Sequence, residues 1–250
     1  MMKKIIIANW KMNPLKLADA KKIIEGTKKI AKKSLSDVVV CPPFPYLNLL
    51  SGSKKPFLGA QNVSFEKEGA FTGEVSAAQL YSLGVQYVIV GHSERREMGE
   101  TSEVVARKAC IAIQNRISPI ICIGEKERNQ SAEHWQEIKW QLVDSLQGLN
   151  KSNIKKCVIA YEPVWAIGKK SIGPMAPSDI AESAIFIKKV LAEMFGPNVA
   201  EGVRIVYGGS VDGKSSKDIM RAGAISGFLV GRASLKPKEF EEIVLASAIK

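Results

Sequence analysis

The sequence predicts an α/β chain that folds as a (β/α)8 barrel, a parallel eight-stranded barrel surrounded by helices, and two observations carry that prediction. Short apolar, β-branched runs recur with longer amphipathic stretches between them, the pattern of repeated βα units around a parallel sheet. About eight such units fall within 250 residues, the size of a barrel of this kind. An open doubly wound sheet competes, but no GxGxxG follows the first run. No Pro/Ser/Gly-rich linker, low-complexity tract or strong repeat divides the chain, so residues 1–250 are expected to form a single domain.

In chain order, strands are expected at 4–9, where three isoleucines adjoin, at 37–41 around three valines, at 57–62, at 87–91, at 118–123, at 157–162, at 204–207 and at 227–230. Between the first two runs, Leu17, Ala20, Ile24, Thr27 and Ala31 recur at i, i+3, i+7, i+10 and i+14 and form one core-facing helical stripe. Lys21, Lys22, Lys28, Lys29, Lys32 and Lys33 flank or oppose that stripe. His134 falls in a second amphipathic pattern and is expected at the surface.

The formal charge is +11, with 46% hydrophobic and 24% charged residues. This is the composition of a globular protein with a large core, and it excludes disorder as the global state. The longest apolar stretches fall far short of the roughly 18 to 20 residues that a membrane span needs, and a cytoplasmic location is expected. Cys41, Cys110, Cys122 and Cys157 are too widely spaced for a CxxC pair, and only His92 and His134 supply imidazoles, so a structural zinc site is not expected. The lysines of the first helix lack the aromatic interleaving or Arg-rich element of a nucleic-acid surface and read as a solvated face.

In a barrel of this class the βα loops converge at the C-terminal ends of the strands, so the residues there carry the chemistry. The first run ends in Asn9-Trp10-Lys11, the fourth in Gly91-His92-Ser93-Glu94-Arg95-Arg96, and the sixth in Tyr161-Glu162-Pro163-Val164-Trp165-Ala166-Ile167-Gly168. A cation, an imidazole and a carboxylate then face one pocket. Tyr207-Gly208-Gly209-Ser210-Val211 and Gly231-Arg232-Ala233-Ser234 follow the last two runs, where such barrels often bind phosphate. Small residues let backbone N–H groups approach an anion closely. Taken alone, each of these turns reads as a tight connection.

The segments Ala8-Asn9-Trp10-Lys11-Met12-Asn13, 91–96, 161–168, 207–211 and 227–235 resemble the signature segments of the triosephosphate isomerase family, in that family's order and across nearly the whole chain. Gly59-Ala60-Gln61-Asn62, Gly69-Ala70-Phe71-Thr72-Gly73-Glu74 and Cys122-Ile123-Gly124-Glu125 are similar to it as well. The resemblance implies a TIM barrel that interconverts dihydroxyacetone phosphate and D-glyceraldehyde 3-phosphate through an enediolate, a step of glycolysis and gluconeogenesis, with no metal or organic cofactor. It implies Glu162 as the base and a neutral His92 as the electrophile, the ring kept neutral by the positive end of a helix starting near Ser93. Lys11 is implied to hold the substrate phosphate and, as electrostatic stabiliser, to meet the developing oxyanion charge, with Asn9 as a neutral amide donor. Glu94 is expected to pair with Lys11, the alternative being an ion pair with Arg95 or Arg96.

By the same resemblance, backbone amides of Gly168, Ser210, Gly231 and Arg232 cradle the substrate phosphate, and Tyr207 and Ser210 hold a lid formed by residues 163–176. The loop 63–76 inserts into a second subunit, making a homodimer with Thr72 near the partner's Asn9. Cys122 is read as a packing residue. The chain departs from the family pattern at Lys169-Lys170-Ser171-Ile172-Gly173-Pro174-Met175-Ala176, about two residues longer than the usual lid, and at Arg232, where a second glycine is common. The stretch 96–100 is one residue short. Competing functions are an isomerase for another sugar phosphate, a nonenzymatic nucleic-acid-binding barrel, and an inactive relative whose lid no longer closes.

Overall fold

In the computed structural model, which describes residues 2–128, 132–167 and 174–248, the strands form a closed parallel barrel in chain order, the last pairing with the first. They are β1 (Ile5–Asn9), β2 (Asp37–Cys41), β3 (Phe57–Ala60), β4 (Tyr87–Val90), β5 (Ser118–Ile123), β6 (Val158–Tyr161), β7 (Arg204–Tyr207) and β8 (Gly227–Val230). The bounds of β2, β5, β7 and β8 match those expected from the sequence.

The other four are shorter than expected, three of them at the end that carries the site. β3 stops at Ala60 because Gln61 leaves the ladder to donate its side-chain amide to the carbonyls of Cys41 and Lys11, each at 2.9 Å. β4 stops at Val90 because Gly91 turns to φ +70, a left-handed conformation open to glycine. β6 stops at Tyr161, one residue before Glu162, and starts at Val158. β1 begins at Ile5, while the Lys4 ammonium reaches across to the Ile225 carbonyl at 2.7 Å.

Side chains alternate across a strand, so a closed barrel sorts each run into an inner and an outer set. Ile5, Ile7, Val39, Cys41, Ile89, Ile120, Cys122, Val158, Ala160, Val206 and Leu229 form the inner cluster. The intervening residues, among them Ile6, Val38, Val40, Val88, Ile121, Ile159, Ile205 and Phe228, pack outward against the helices. Both faces are therefore dry, which is why the runs read as nearly continuous apolar sequence. The seam between β8 and β1 depends on Gly227: it sits at φ +147, and a Cβ there would lie 1.8 Å from the Ile5 carbonyl oxygen.

The helix Leu17–Lys33 buries Ala20, Ile24, Thr27, Ile30 and Ala31. Leu17, expected in the stripe, is 49% exposed; it opens the helix, a turn ahead of Ala20, the first residue to reach the barrel. His134 corrects a second expectation. It is buried at 7% exposure, because its helix, Glu133–Ser145, lays this face toward the helix Pro177–Phe195: His134 packs on Trp135 at 4.5 Å between ring centroids, and Trp135 on Phe186 at 4.7 Å. Among the described residues no helix is long and apolar enough to cross a membrane.

Candidate active site

The inward periodicity that builds the barrel interior also aims the polar residues above it. Two residues beyond Ile7, Ala160, Val206 and Leu229 stand Asn9, Glu162, Gly208 and Gly231, and all four line one pocket of about 660 Å3 at the C-terminal mouth. Lys11, His92, Glu94, Ser210 and Arg232 line it too.

Glu162 is 2% exposed and His92 6%. One carboxylate oxygen of Glu162, Oε1, lies 3.3 Å from His92 Nε2, and the other accepts the Ser93 backbone N–H at 3.2 Å. Room for the Glu162 side chain and for its backbone comes from two missing side chains. A Cβ on Gly208 would sit 2.7 Å from Glu162 Cγ, and one on Gly124 would sit 1.9 Å from the Glu162 carbonyl oxygen. His92 caps the short helix Ser93–Glu97, its Nδ1 accepting the Glu94 N–H at 3.2 Å. With Nδ1 accepting a backbone N–H, Nε2 is the ring nitrogen that faces Glu162.

Lys11 has φ +53, an uncommon conformation for a side-chain-bearing residue that costs about 1 to 3 kcal/mol and persists only where neighbours enforce it. The enforcement is visible on both sides of the residue. Asn9 Oδ1 accepts the Lys11 N–H at 3.1 Å, and Gln61 donates to its carbonyl at 2.9 Å. The Lys11 ammonium is 2.6 Å from Glu94 Oε1, the pairing expected from the sequence. Arg95 lies 3.6 Å from Glu100 instead, and Arg96 turns inward.

Arg96 donates to the Gly91 carbonyl at 2.8 Å, the Cys122 carbonyl at 3.2 Å, and the hydroxyls of Ser102 and Ser145 at 3.0 Å each. Glu100 accepts the Gly91 N–H at 3.1 Å and forms a buried ion pair with Lys108, which also donates to Asn62 Oδ1 at 2.8 Å. Gly91, the residue before His92, is thus held at both its N–H and its C=O. Behind Glu162, the buried Glu125 accepts from the Tyr161 hydroxyl and the Trp165 indole, each at 2.9 Å. Burial, and next the charge of Glu162, push the Cys122 thiol well above its ordinary value, so it packs as a neutral thiol.

Such an arrangement suits proton transfer at carbon. It presents a water-poor carboxylate, an imidazole beside it, a cation at the mouth, and small-residue turns open to an anion. Comparison with known proteins agrees with that chemistry. Residues 4–247 match the family model described as Triosephosphate isomerase. A protein named Triosephosphate isomerase from Clostridium botulinum (strain Eklund 17B / Type B) is 42% identical over 98% of this chain and 99% of its own length. One of the same name from Dictyoglomus turgidum (strain DSM 6724 / Z-1310) is also 42% identical, with the same coverage.

The chain belongs to the triosephosphate isomerase family. It is an isomerase, and its barrel is the one that membership implies. Of the residues that the likeness to this family singled out, Asn9, Lys11, His92, Glu94, Glu162, Ser210, Gly231 and Arg232 line one pocket. Ser93 supports Glu162 from behind. Tyr207 is fully buried against Tyr161, at 6.4 Å between ring centroids, and its hydroxyl lies against the pocket residue Gly209, where a Cβ would come within 2.1 Å of it. Gly168 and the lid residues 169–173 lie outside the described residues. Gln61, Arg96, Glu100, Lys108 and Glu125 were not expected in the supporting layer. Gln61, Arg96 and Glu125 fall inside family-like segments, whereas Glu100 and Lys108 carry no sequence signal that separates them from surface charges.

Proposed function

We propose that this chain interconverts dihydroxyacetone phosphate and D-glyceraldehyde 3-phosphate, with Glu162 as the base, His92 as the electrophile and Lys11 as the electrostatic stabiliser. One observation carries the reading: a carboxylate buried to 2% exposure lies 3.3 Å from an imidazole Nε2 whose ring accepts a backbone N–H on its other nitrogen, in a pocket that also contains a lysine. Glu162 removes a proton from the carbon beside the carbonyl and returns it to the adjacent carbon. His92 donates from Nε2 to the carbonyl oxygen as negative charge builds there, and the Lys11 ammonium adds to that stabilisation. Asn9 keeps Lys11 in its constrained conformation and presents an amide to the pocket. The phosphate is held by backbone N–H groups at Ser210, Gly231 and Arg232, with Gly168 as the fourth donor implied by the family.

Closure of the segment 163–176 over the substrate, as the family implies, would keep water from the enediolate and prevent loss of phosphate. The assembly inferred is a homodimer through the loop 63–76. Met12, Leu15 and Met98 are 85%, 88% and 79% exposed, apolar side chains that a dimer interface on this side would cover. Charged trioses do not cross a bilayer unaided, so the site of action is inferred to be the cytoplasm.

A coupled isomerase assay with separate detection of methylglyoxal tests this reading. Glu162→Asp, which retracts the carboxylate, is expected to lower kcat by about a thousandfold, and His92→Gln to impair turnover more than binding. Unchanged turnover in either variant removes that residue from the mechanism. Sedimentation at dilute concentration is expected to give a dimer, and a fully active monomer would overturn that assembly.

A further inference from the structure

Arg232 opens the one-turn 3-10 helix Arg232–Leu235 that follows β8, and it is exposed on the pocket wall. The other charged residues of that wall already have partners. Lys11 pairs with Glu94, and Glu162 meets Ser93 N–H and the His92 ring. Asp212 accepts the N–H groups of Lys214 and Ser215, and Glu239 pairs with Lys236 at 3.1 Å. The Arg232 guanidinium has neither an ion pair nor a hydrogen bond among the described residues. Arg232 shares this pocket with Lys11, and the residue before it, Gly231, borders the lysine stem: a Cβ there would be 3.7 Å from Lys11 Cε.

We propose that the Arg232 side chain, beyond any contact of its backbone N–H, is a second cation for the substrate's phosphate and sets the affinity of this pocket for phosphorylated ligands. The inference rests on the reading of the pocket as a triose phosphate site. A guanidinium presents a planar fork of donors that matches two phosphate oxygens, and this one has no carboxylate to leave before it binds. Lys11 is paired with Glu94 and lies beside the reacting carbons, so the two cations divide the work. Because the Arg232 contact forms when substrate binds, before any bond changes, it acts on affinity first, and only the part of its binding energy that serves to position the substrate reaches the chemical step.

The test compares wild type, Arg232→Ala and Arg232→Lys by KM for D-glyceraldehyde 3-phosphate, by competitive inhibition with inorganic phosphate, and by calorimetric Kd for inorganic phosphate. Arg232→Ala is expected to raise all three constants about three- to tenfold, a modest effect because the group is exposed, while kcat falls by less than KM rises. Arg232→Lys should recover part of the loss, and the difference should shrink as salt is added. Equal KM and phosphate constants in wild type and Arg232→Ala would overturn the proposal. The calorimetric arm needs no turnover: wild type that binds phosphate yet isomerises nothing would sink the reaction assignment, and the Kd ratio would still decide the role of Arg232.

Discussion

Around the pocket, β1, β4 and β6 present side chains that are each held by a further layer, whereas β7 and β8 present backbone and small residues. On the first side Asn9 and Gln61 pin Lys11, Arg96 and Glu100 pin Gly91, and Ser93 pins Glu162. On the other, Gly208, Gly209, Ser210 and Gly231 face the pocket and leave room in it, with the Arg232 cation beside them. The contrast fits the two tasks proposed above. Moving a proton requires a base placed to within a fraction of an ångström, which calls for fixed hydrogen-bonded supports. Holding an anion needs converging donors and little bulk, which small residues and their backbone leave room for.

Perturbing each side should break the contrast in a predictable order. The largest effect is expected from Glu100→Ala, which leaves Lys108 buried without its ion-pair partner and frees the Gly91 N–H. The cost is about 3 to 5 kcal/mol, a fall in melting temperature of roughly 10 °C measurable by calorimetry. A Tm change below about 2 °C would mean that β4 does not depend on this pair. Next is Gly208→Ala, which inserts a methyl 2.7 Å from Glu162 Cγ and joins the two sides. Displacing the carboxylate by about 1 Å should lower kcat up to a hundredfold with little change in KM, and normal kcat would show that Glu162 can yield without penalty.

Smaller still is Asp212→Ala on the small-residue side. Asp212 caps the helix Gly213–Arg221 by accepting the Lys214 and Ser215 N–H groups, and its removal should cost about 1 kcal/mol. Those hydrogen bonds, to Ser215 first, hold its carboxyl below the ordinary 3.8. The stabilisation is therefore present above that pH and lost as pH falls through the lowered value, so the variant should converge on wild type in acid. The smallest effect is expected at His134, away from the pocket. Burial first, and then the Arg128 charge, lower its pKa from 6.5. Its contribution is complete above pH 6.5 and declines below, so His134→Phe should flatten the acid limb of the stability curve, read by urea melts across pH.

What the sequence revealed divides along a similar line. Asp37–Cys41 and Ser118–Ile123 were legible to the residue because their ends coincide with the ends of apolar runs. Lys11, His92 and Glu162 were legible because each directly follows such a run within a family-like segment. The end of β3 was not, since it is set by where the Gln61 amide finds the Lys11 carbonyl, a contact between residues 50 apart in sequence. The Glu100–Lys108 pair and the inward face of His134 were hidden for the same reason. A charge or an imidazole on an amphipathic helix looks alike whether it meets water or a neighbouring helix, and the barrel decides which.

The Gly227 seam has a consequence for the making of the chain. Until residues 227–230 are available to pair with Ile5–Ala8, the sheet has two unpaired edges of buried-type strand, and an open apolar edge is a template for pairing with another chain. During synthesis this exposure lasts while nearly the whole polypeptide is threaded out, because the strand that ends it is the last to emerge. A truncation before Gly227 should therefore lose more than one strand's worth of stability. It should convert a protein without edges into one that self-associates, and the seam glycine is where a single added methyl would do the same to the full-length chain.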